Sequence, residues 1–387
     1  MKPKSEHNYK YNRQFPCIAD LKRKARSRIP TFAFDYLEGG CNDEHNLALN
    51  ETDYHAIQLE PRYLRKFRGV NMHAELFGHT YDAPIGISPI GLQGMIWPNA
   101  PQILARSAVK HNIPYVLSTV STASIEQIAE ITESKFWFQL YHPTEDRLRD
   151  DILKRLEDAG CEVLVVLIDV PSFGLRYREI KAGLSMPPKI SFQNILQAAL
   201  CPKWCLDTLR YGIPEFATLK RYMEKGMDMS QLGVFMDKTF IGRVNEDKVK
   251  AIRDKWKGKL VVKGVASRED AEKSHEIGAD GIIISNHGGR QIDAGESSIA
   301  TLKRLVPEYK NKYKIMVDGG VRSGPDIARA LAVGADFVFM GRPFMYGVGA
   351  LGDKGGDHTV SMYKAQLHQV MEQVGCGQIG DMKEFLV

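Results

Sequence analysis

The stretch 314-KIMVDGGVRSGPDIARALAVGADFVFMGRP-343 sets the architecture of the chain. One apolar run ends in Asp318-Gly319-Gly320. A helix-like segment, 324-GPDIARALAVG-334, follows, and a second apolar run ends in Gly341-Arg342-Pro343. Both runs are continuous rather than alternating, which suits parallel strands covered on both faces. Six more such runs lie upstream: 83-APIGISP-89, 113-IPYVLST-119, 136-FWFQLY-141, 163-VLVVLID-169, 259-KLVVKG-264 and 280-DGIIIS-285. Helix-like segments at 101–112, 147–160 and 268–278 lie among them. Eight strand–helix units in order predict an α/β fold, a (β/α)8 TIM barrel.

Two parts do not fit the repeat. Residues 1–75 read as a helical extension with a short hairpin, ahead of a barrel over 76–387. The segment from about 175 to 258, after the fourth strand, is far longer than the usual strand-to-helix connection. It carries Pro187-Pro188 and a charged, helix-like 216-FATLKRYMEKGM-227. Long loops after barrel strands sit over the active site, so this one is expected to be a lid. Barrels of this kind reach this length as one domain, and a single domain over 1–387 is expected.

The composition, 43% hydrophobic and 26% charged with a net charge of +5, fits a soluble globular protein. No dense Lys/Arg stripe alternates with aromatics, which argues against nucleic-acid binding. The basic run 21-LKRKARSR-28 reads as a solvated helix face. Of six cysteines only Cys201 and Cys205 are close. No second pair or nearby histidine completes a zinc site, so no metal is expected and the thiols read as free in a reducing compartment. The start, MKPKSEHNYKYNRQFP, lacks the apolar core of a signal peptide, and no run approaches the ~20 residues of a spanning helix. The expected location is cytoplasmic, with peripheral contact on the inner face of a membrane left open.

In such a barrel the chemistry lies at the C-terminal ends of the strands. Those ends read Pro89-Ile90-Gly91, Ser118-Thr119, Gln139 and Tyr141, Asp169, Lys263, Ser285 and His287, Asp318-Gly319-Gly320, and Gly341-Arg342. Two adjacent glycine-rich loops, with Arg322 and Arg342, suit a phosphate at a helix N-terminus; the glycines alone would also serve tight turns. Lys263 could stabilise the negative charge of a reduced flavin, with Gln139 and Ser118 on the ring's polar edge. It could equally pair with a neighbouring acid. In 282-IIISNHGGRQID-293, His287 could take a proton near neutral pH, Arg290 could clamp a carboxylate, and Asp169 could hold the imidazole. Together they suit a small acid with a hydroxyl beside its carboxylate.

These residues resemble the active-site signature of the FMN-dependent L-2-hydroxy acid oxidising enzymes, among them glycolate oxidase, lactate oxidase and mandelate dehydrogenase. The resemblance spans nearly the whole chain, from 34-FDYLEGG-40 to the C-terminal helix. Through SPIGLQGM, LSTVS, WFQLY, GLRYRE and HGGRQ it looks nearest to bacterial respiratory L-lactate dehydrogenases. It implies FMN as cofactor, His287 as base paired with Asp169, and Arg176 and Arg290 on the substrate carboxylate. Tyr36 and Tyr141 would lie near the substrate. FMN would touch Pro89, Ile90, Gly91, Ser118, Gln139, Lys263 and Ser285, with its phosphate on Asp318, Gly319, Gly320 and Arg322 and on Gly341-Arg342. The implied reaction is oxidation of L-lactate to pyruvate with quinone as acceptor, and relatives imply a homotetramer. A true oxidase that makes hydrogen peroxide from oxygen is the alternative; a non-redox phosphate-binding barrel and a non-catalytic flavin protein stand behind it. Two departures matter. Leu167 stands where the family usually offers FMN a threonine. Val120 stands where glycolate oxidase has tryptophan, which leaves room for a side chain larger than glycolate's.

Overall fold

The computed structural model describes residues 13–184, 191–223, 229–240 and 242–387. Pro187-Pro188 and residues 224–227 of the helix-like 216–227 segment lie outside them. A hairpin, β1 (Ala74–Leu76) and β2 (His79–Tyr81), precedes eight parallel strands: β3 (Ile85–Ile87), β4 (Val116–Ser118), β5 (Trp137–Tyr141), β6 (Val163–Leu167), β7 (Lys259–Val265), β8 (Gly281–Ile284), β9 (Lys314–Asp318) and β10 (Phe337–Met340). They pair in the order β3-β10-β9-β8-β7-β6-β5-β4. A parallel bridge from Ile87 to Tyr115 joins the two ends of that order. The eight runs read from the sequence are these eight strands, and the fold is a (β/α)8 TIM barrel.

The apolar runs are continuous because both faces of each strand are buried. Val163 and Val165 of β6 point into one apolar cluster, with Val261, Ile283, Met316 and Phe339. Their neighbours Leu164 and Val166 join the larger cluster formed with the surrounding helices. This is the period-2 alternation of a strand with an apolar partner on each side. Gly86 of β3 makes room for the inner cluster: a Cβ there would lie 2.4 Å from the Phe339 ring.

The hairpin closes the N-terminal end of the barrel. Phe77 at its turn lies 5.6 Å from Trp137, and Tyr81 lies 5.6 Å from Phe337, centroid to centroid. It therefore runs past residue 75, and no sharp boundary separates extension from barrel there. Ahead of it come helices Ile18–Arg26, Thr31–Glu38 and His45–Thr52. Leu21 and Ala25 of the first are buried, while Arg23, Lys24 and Arg26 of its basic run face solvent.

The long connection from β6 to β7 is helical. It holds Tyr177–Lys181, Phe192–Ala199, Pro202–Tyr211 and Met229–Phe240, and then the barrel helix Glu246–Lys255. Within 216–227 the described residues form a turn and one 3-10 turn, Lys220–Tyr222, rather than a helix. The local backbone is committed to tertiary bonds instead. Ala217 N donates to Ser121 O at 3.1 Å, and Thr218 O accepts from Arg155 Nη1 at 2.9 Å.

Candidate active site

The loop after β8 turns through three consecutive left-handed residues: His287 (φ 58°), Gly288 (φ 65°) and Gly289 (φ 74°). Side chains other than glycine adopt this region at a cost, so a histidine here is held by its surroundings. A side chain on either glycine would be crowded, most severely on Gly289, which abuts backbone. A Cβ on Gly288 would lie 2.6 Å from Arg342 Nη1, and one on Gly289 would lie 2.8 Å from Leu47 Cα. Asn286 anchors the loop from below. Its side-chain amide donates to Asn46 Oδ1 and Asn50 Oδ1, each at 2.7 Å. The extension helix His45–Thr52 thus sets the position of His287.

His287 Nδ1 lies 3.0 Å from Asp169 Oδ1. Gly264 makes this possible: β7 bulges there with φ 98°, and a Cβ would lie 2.6 Å from Asp169 Cβ. Burial lowers the His287 pKa below that of a free imidazole, Asp169 opposes the shift, and the charges of Lys263 and Arg176 add to it. The ring is therefore neutral at neutral pH. With Asp169 on Nδ1, Nε2 is the atom free to accept a proton.

Two arginines share the chamber. Arg290 Nη1 donates to the carbonyls of Tyr36 (2.7 Å) and Gly39 (2.9 Å), and its guanidinium lies 4.9 Å from the Tyr36 ring centroid. Arg176 Nε donates to Arg290 O at 3.2 Å, and its Nη2 to Gln291 Oε1 at 3.0 Å. Between them stands Glu179, buried, 2.5 Å from Arg290 Nη2 and 3.4 Å from Arg176 Nη1. Sequence reasoning did not single out Glu179. Its one signal was the last residue of GLRYRE, three positions after Arg176, which reads as an ordinary helical ion pair. Burial pushes the phenol pKa values of Tyr36 and Tyr141 up, so both keep their protons.

On the opposite wall Lys263 is buried, with Nζ 2.8 Å from Asp318 Oδ2 and 2.8 Å from Ser285 Oγ. The lysine therefore does pair with an acid, and it also faces the chamber. Ser118 Oγ donates to Gln139 Oε1 at 3.0 Å. Gly319 and Gly320 are left-handed (φ 98° and 80°), and a Cβ on Gly320 would overlap Asn50 O at 1.7 Å. Helices Gly324–Val333 and Arg342–Leu351 begin beside them. Arg322 pairs with Glu51 at 2.9 Å. Arg342 donates to the carbonyls of Leu37, Gly288 and Gly39 at 2.8 to 2.9 Å, and burial pushes its pKa down to about 10. Three of its five N–H donors are thus engaged in tying extension to barrel.

The strand ends and their loops bound one cavity of about 870 Å³. Every expected site residue lines it except Asp169 and Ser285, which stand directly behind His287 and Lys263. Residues of the β6–β7 insertion form the far wall.

Residues 25–387 match the FMN-dependent dehydrogenase family. The chain belongs to that family. It is 35% identical over 362 residues to (S)-mandelate dehydrogenase of Pseudomonas putida, covering 94% of this chain and 91% of that protein. It is also 35% identical over 365 residues to an L-lactate dehydrogenase of Xanthomonas axonopodis pv. citri, covering 94% of each. Among solved structures, one described as the monotopic membrane protein (S)-mandelate dehydrogenase superposes with a TM-score of 0.91 at 33% identity, over 97% of this chain and 100% of that one.

This FMN-dependent dehydrogenase is a 2-hydroxy acid dehydrogenase, and its cofactor is FMN. The chamber's own atoms suit a flavin. Gln139 Nε2 and Asp318 Oδ1 are buried and have no partner within the protein, and unpaired buried polar atoms are costly. Gly91 keeps the wall flat beside them, since a Cβ there would lie 2.9 Å from Val120 Cγ2. Leu167 lines the same wall without a hydroxyl.

Proposed function

We propose that the enzyme oxidises an L-2-hydroxy acid, L-lactate foremost, to the 2-oxo acid at this chamber, and delivers the electrons to a quinone at a membrane surface. The observation that carries the reading is a neutral, aspartate-held His287 facing the same cavity as the Arg176–Arg290 pair. The arginines hold the substrate carboxylate, for which a guanidinium fork is the matching geometry. Tyr36 and Tyr141 donate hydrogen bonds to the substrate oxygens. His287 Nε2 takes the hydroxyl proton, and Asp169 stabilises the imidazolium that results. Assisted proton transfer of this kind is worth roughly 10²–10⁴ in rate. Pro89, Ile90, Gly91, Ser118 and Gln139 would hold the flavin ring and Lys263 its electron-rich edge, with Ser285 aiming the ammonium. Gly319, Gly320, Arg322, Gly341 and the free donors of Arg342 would hold the phosphate, with Asp318 beside them. Bound FMN supplies the acceptor for the two electrons of the substrate C–H bond.

Val120 favours a second reading of the substrate. It lines the cavity as a side chain much smaller than tryptophan, and the identity to the mandelate enzyme equals that to the lactate enzyme. An aryl side chain on the substrate would pack against this part of the wall. Anaerobic bleaching of the flavin by a panel of L-2-hydroxy acids tests both readings. Lactate is expected to bleach it at the lowest concentration; mandelate doing so instead selects the second reading, and no bleaching by any member removes both. Hydrogen peroxide at the full turnover rate would identify an oxidase.

Support for a membrane surface comes from the insertion. Phe192, Leu196 and Leu200 on one helix side, and Leu206 and Leu209 on the next helix, are exposed. Contiguous exposed apolar surface marks an interaction site. Among the described residues no helix is long and apolar enough to cross a membrane, so attachment would be peripheral.

A further inference from the structure

The cavity's lining extends past the groups that face a flavin and a small hydroxy acid. Beyond the catalytic groups it continues as an apolar lobe beneath the insertion helices, walled by Phe32, Met95, Trp204, Phe216, Met236 and Phe240. The lobe is built rather than loose. Trp204 Nε1 donates to Met95 O at 3.2 Å, Phe32 meets Trp204 edge-on at 6.1 Å, and Phe240 meets Tyr141 at 6.0 Å.

The rim of the cavity is also apolar. Among the described lining residues, those that are exposed to solvent are Phe173, Leu175, Ile180, Ile195, Ile213 and Glu215. Five of the six are large and apolar, and Glu215 is paired with Lys220 at 2.6 Å. Ile195 lies on the helix that carries Phe192 and Leu196, and Ile213 lies just past Gly212, the C-cap of the helix that carries Leu206 and Leu209. One opening of the catalytic chamber thus lies on the exposed apolar face itself. A water-borne hydroxy acid anion gains nothing from such a rim. A lipid-dissolved ligand does, because it can pass from bilayer to cavity without entering water.

We infer that the apolar lobe is the binding channel for a quinone with an isoprenoid tail, entered from the membrane between Ile195 and Ile213. This rests on the quinone-acceptor reading above. The tail lies along Ile195, Ala198, Trp204 and Ile213, and the headgroup reaches toward Tyr36 and Tyr141. The net exchange balances. The hydroxy acid loses its Cα hydrogen with the bonding pair and its hydroxyl proton; the quinone gains two electrons and two protons and becomes the quinol.

The test uses the FMN-loaded enzyme on phosphatidylcholine–phosphatidylglycerol vesicles containing a long-tailed ubiquinone. The double variant Ile195→Trp, Ile213→Trp narrows the mouth and keeps its face apolar. Three rates are compared with the unaltered enzyme: quinol formation, anaerobic flavin reduction by the hydroxy acid, and reduction of a water-soluble dye. We expect quinol formation to fall at least tenfold, with the other two within twofold, which also shows the variant is folded. Undiminished quinol formation by the variant overturns the channel and leaves the acceptor reading standing. No quinol from the unaltered enzyme overturns the acceptor reading itself. If flavin reduction by the hydroxy acid falls in step with quinol formation, the lobe serves the substrate side chain and the quinone assignment is wrong.

Discussion

Asp169 and Lys263 pull the His287 pKa in opposite directions. Burial has already set it below that of a free imidazole, and Asp169 is the group holding it up. Since the base must be unprotonated, activity is retained down to a lower pH than a free imidazole would allow and is lost as pH falls through the lowered value. Asp169→Asn removes the opposing influence. The acid limb of kcat/KM is expected to move to still lower pH while kcat falls roughly 10²–10⁴-fold, because the imidazolium formed on proton transfer is no longer stabilised. An acid limb that moves upward would contradict the assigned pairing. Glu179 sets a second electrostatic property. With Arg176 and Arg290 it leaves a net charge of +1 at the clamp, suited to one carboxylate. A nearby unit charge is worth ~4 kcal/mol at 4 Å and an effective dielectric of 20. Glu179→Gln is therefore expected to improve inhibition by a dianion such as oxalate about tenfold relative to a monocarboxylate, well within that figure. Equal changes for both inhibitors would show that Glu179 only orients the arginines. His287 and Arg290 were legible in the sequence because they stand at a strand end in a glycine-rich turn. Glu179 was not, since an acid three residues from an arginine is common on any helix, and only the tertiary approach of Arg290 gives it a role.

The strands were legible because a run buried on both faces leaves an unbroken apolar signature, whichever helix later covers it. The bounds of the barrel helices followed to within two residues, as at Ala100–Lys110 and Gly324–Val333, but the helix expected over 216–227 did not form in its described residues. The insertion was legible only as excess length. Its two helices that carry the exposed leucines have amphipathic patterns, but the sequence cannot say which face a lid turns inward. Here Trp204 is buried over the chamber while Leu206 and Leu209 are 63% and 83% exposed. Full burial of a leucine in an apolar phase is worth about 1.5–3 kcal/mol, so two of them can account for most of a peripheral attachment. Leu206→Asp, Leu209→Asp is expected to reduce co-sedimentation with phosphatidylglycerol-containing vesicles by at least tenfold, with dye-linked turnover within twofold. Unaltered co-sedimentation would move the attachment face elsewhere.

The chamber draws on every part of the chain, and that makes cofactor and fold one system. Tyr36 comes from the extension, Arg176 from the insertion, His287 and Lys263 from mid-barrel strands, and Arg342 from the last strand while bonded to Leu37 and Gly39. Extension, insertion and barrel each supply part of the chamber wall, so FMN should stabilise all three together rather than one lobe. Ligand linkage gives about 2.7 kcal/mol at a free concentration of 100 Kd. With an unfolding entropy of ~2.1 cal/mol/K per residue, a chain of 387 residues should gain about 3 °C in Tm at that concentration and somewhat under 2 °C for each further tenfold. Scanning calorimetry of the FMN-stripped protein across an FMN titration checks this. A single transition that moves as a whole is expected. Two transitions, of which only one responds to FMN, would mean that the extension or insertion unfolds apart from the barrel, and that the ties through Arg342 and Asn286 are too weak to couple them.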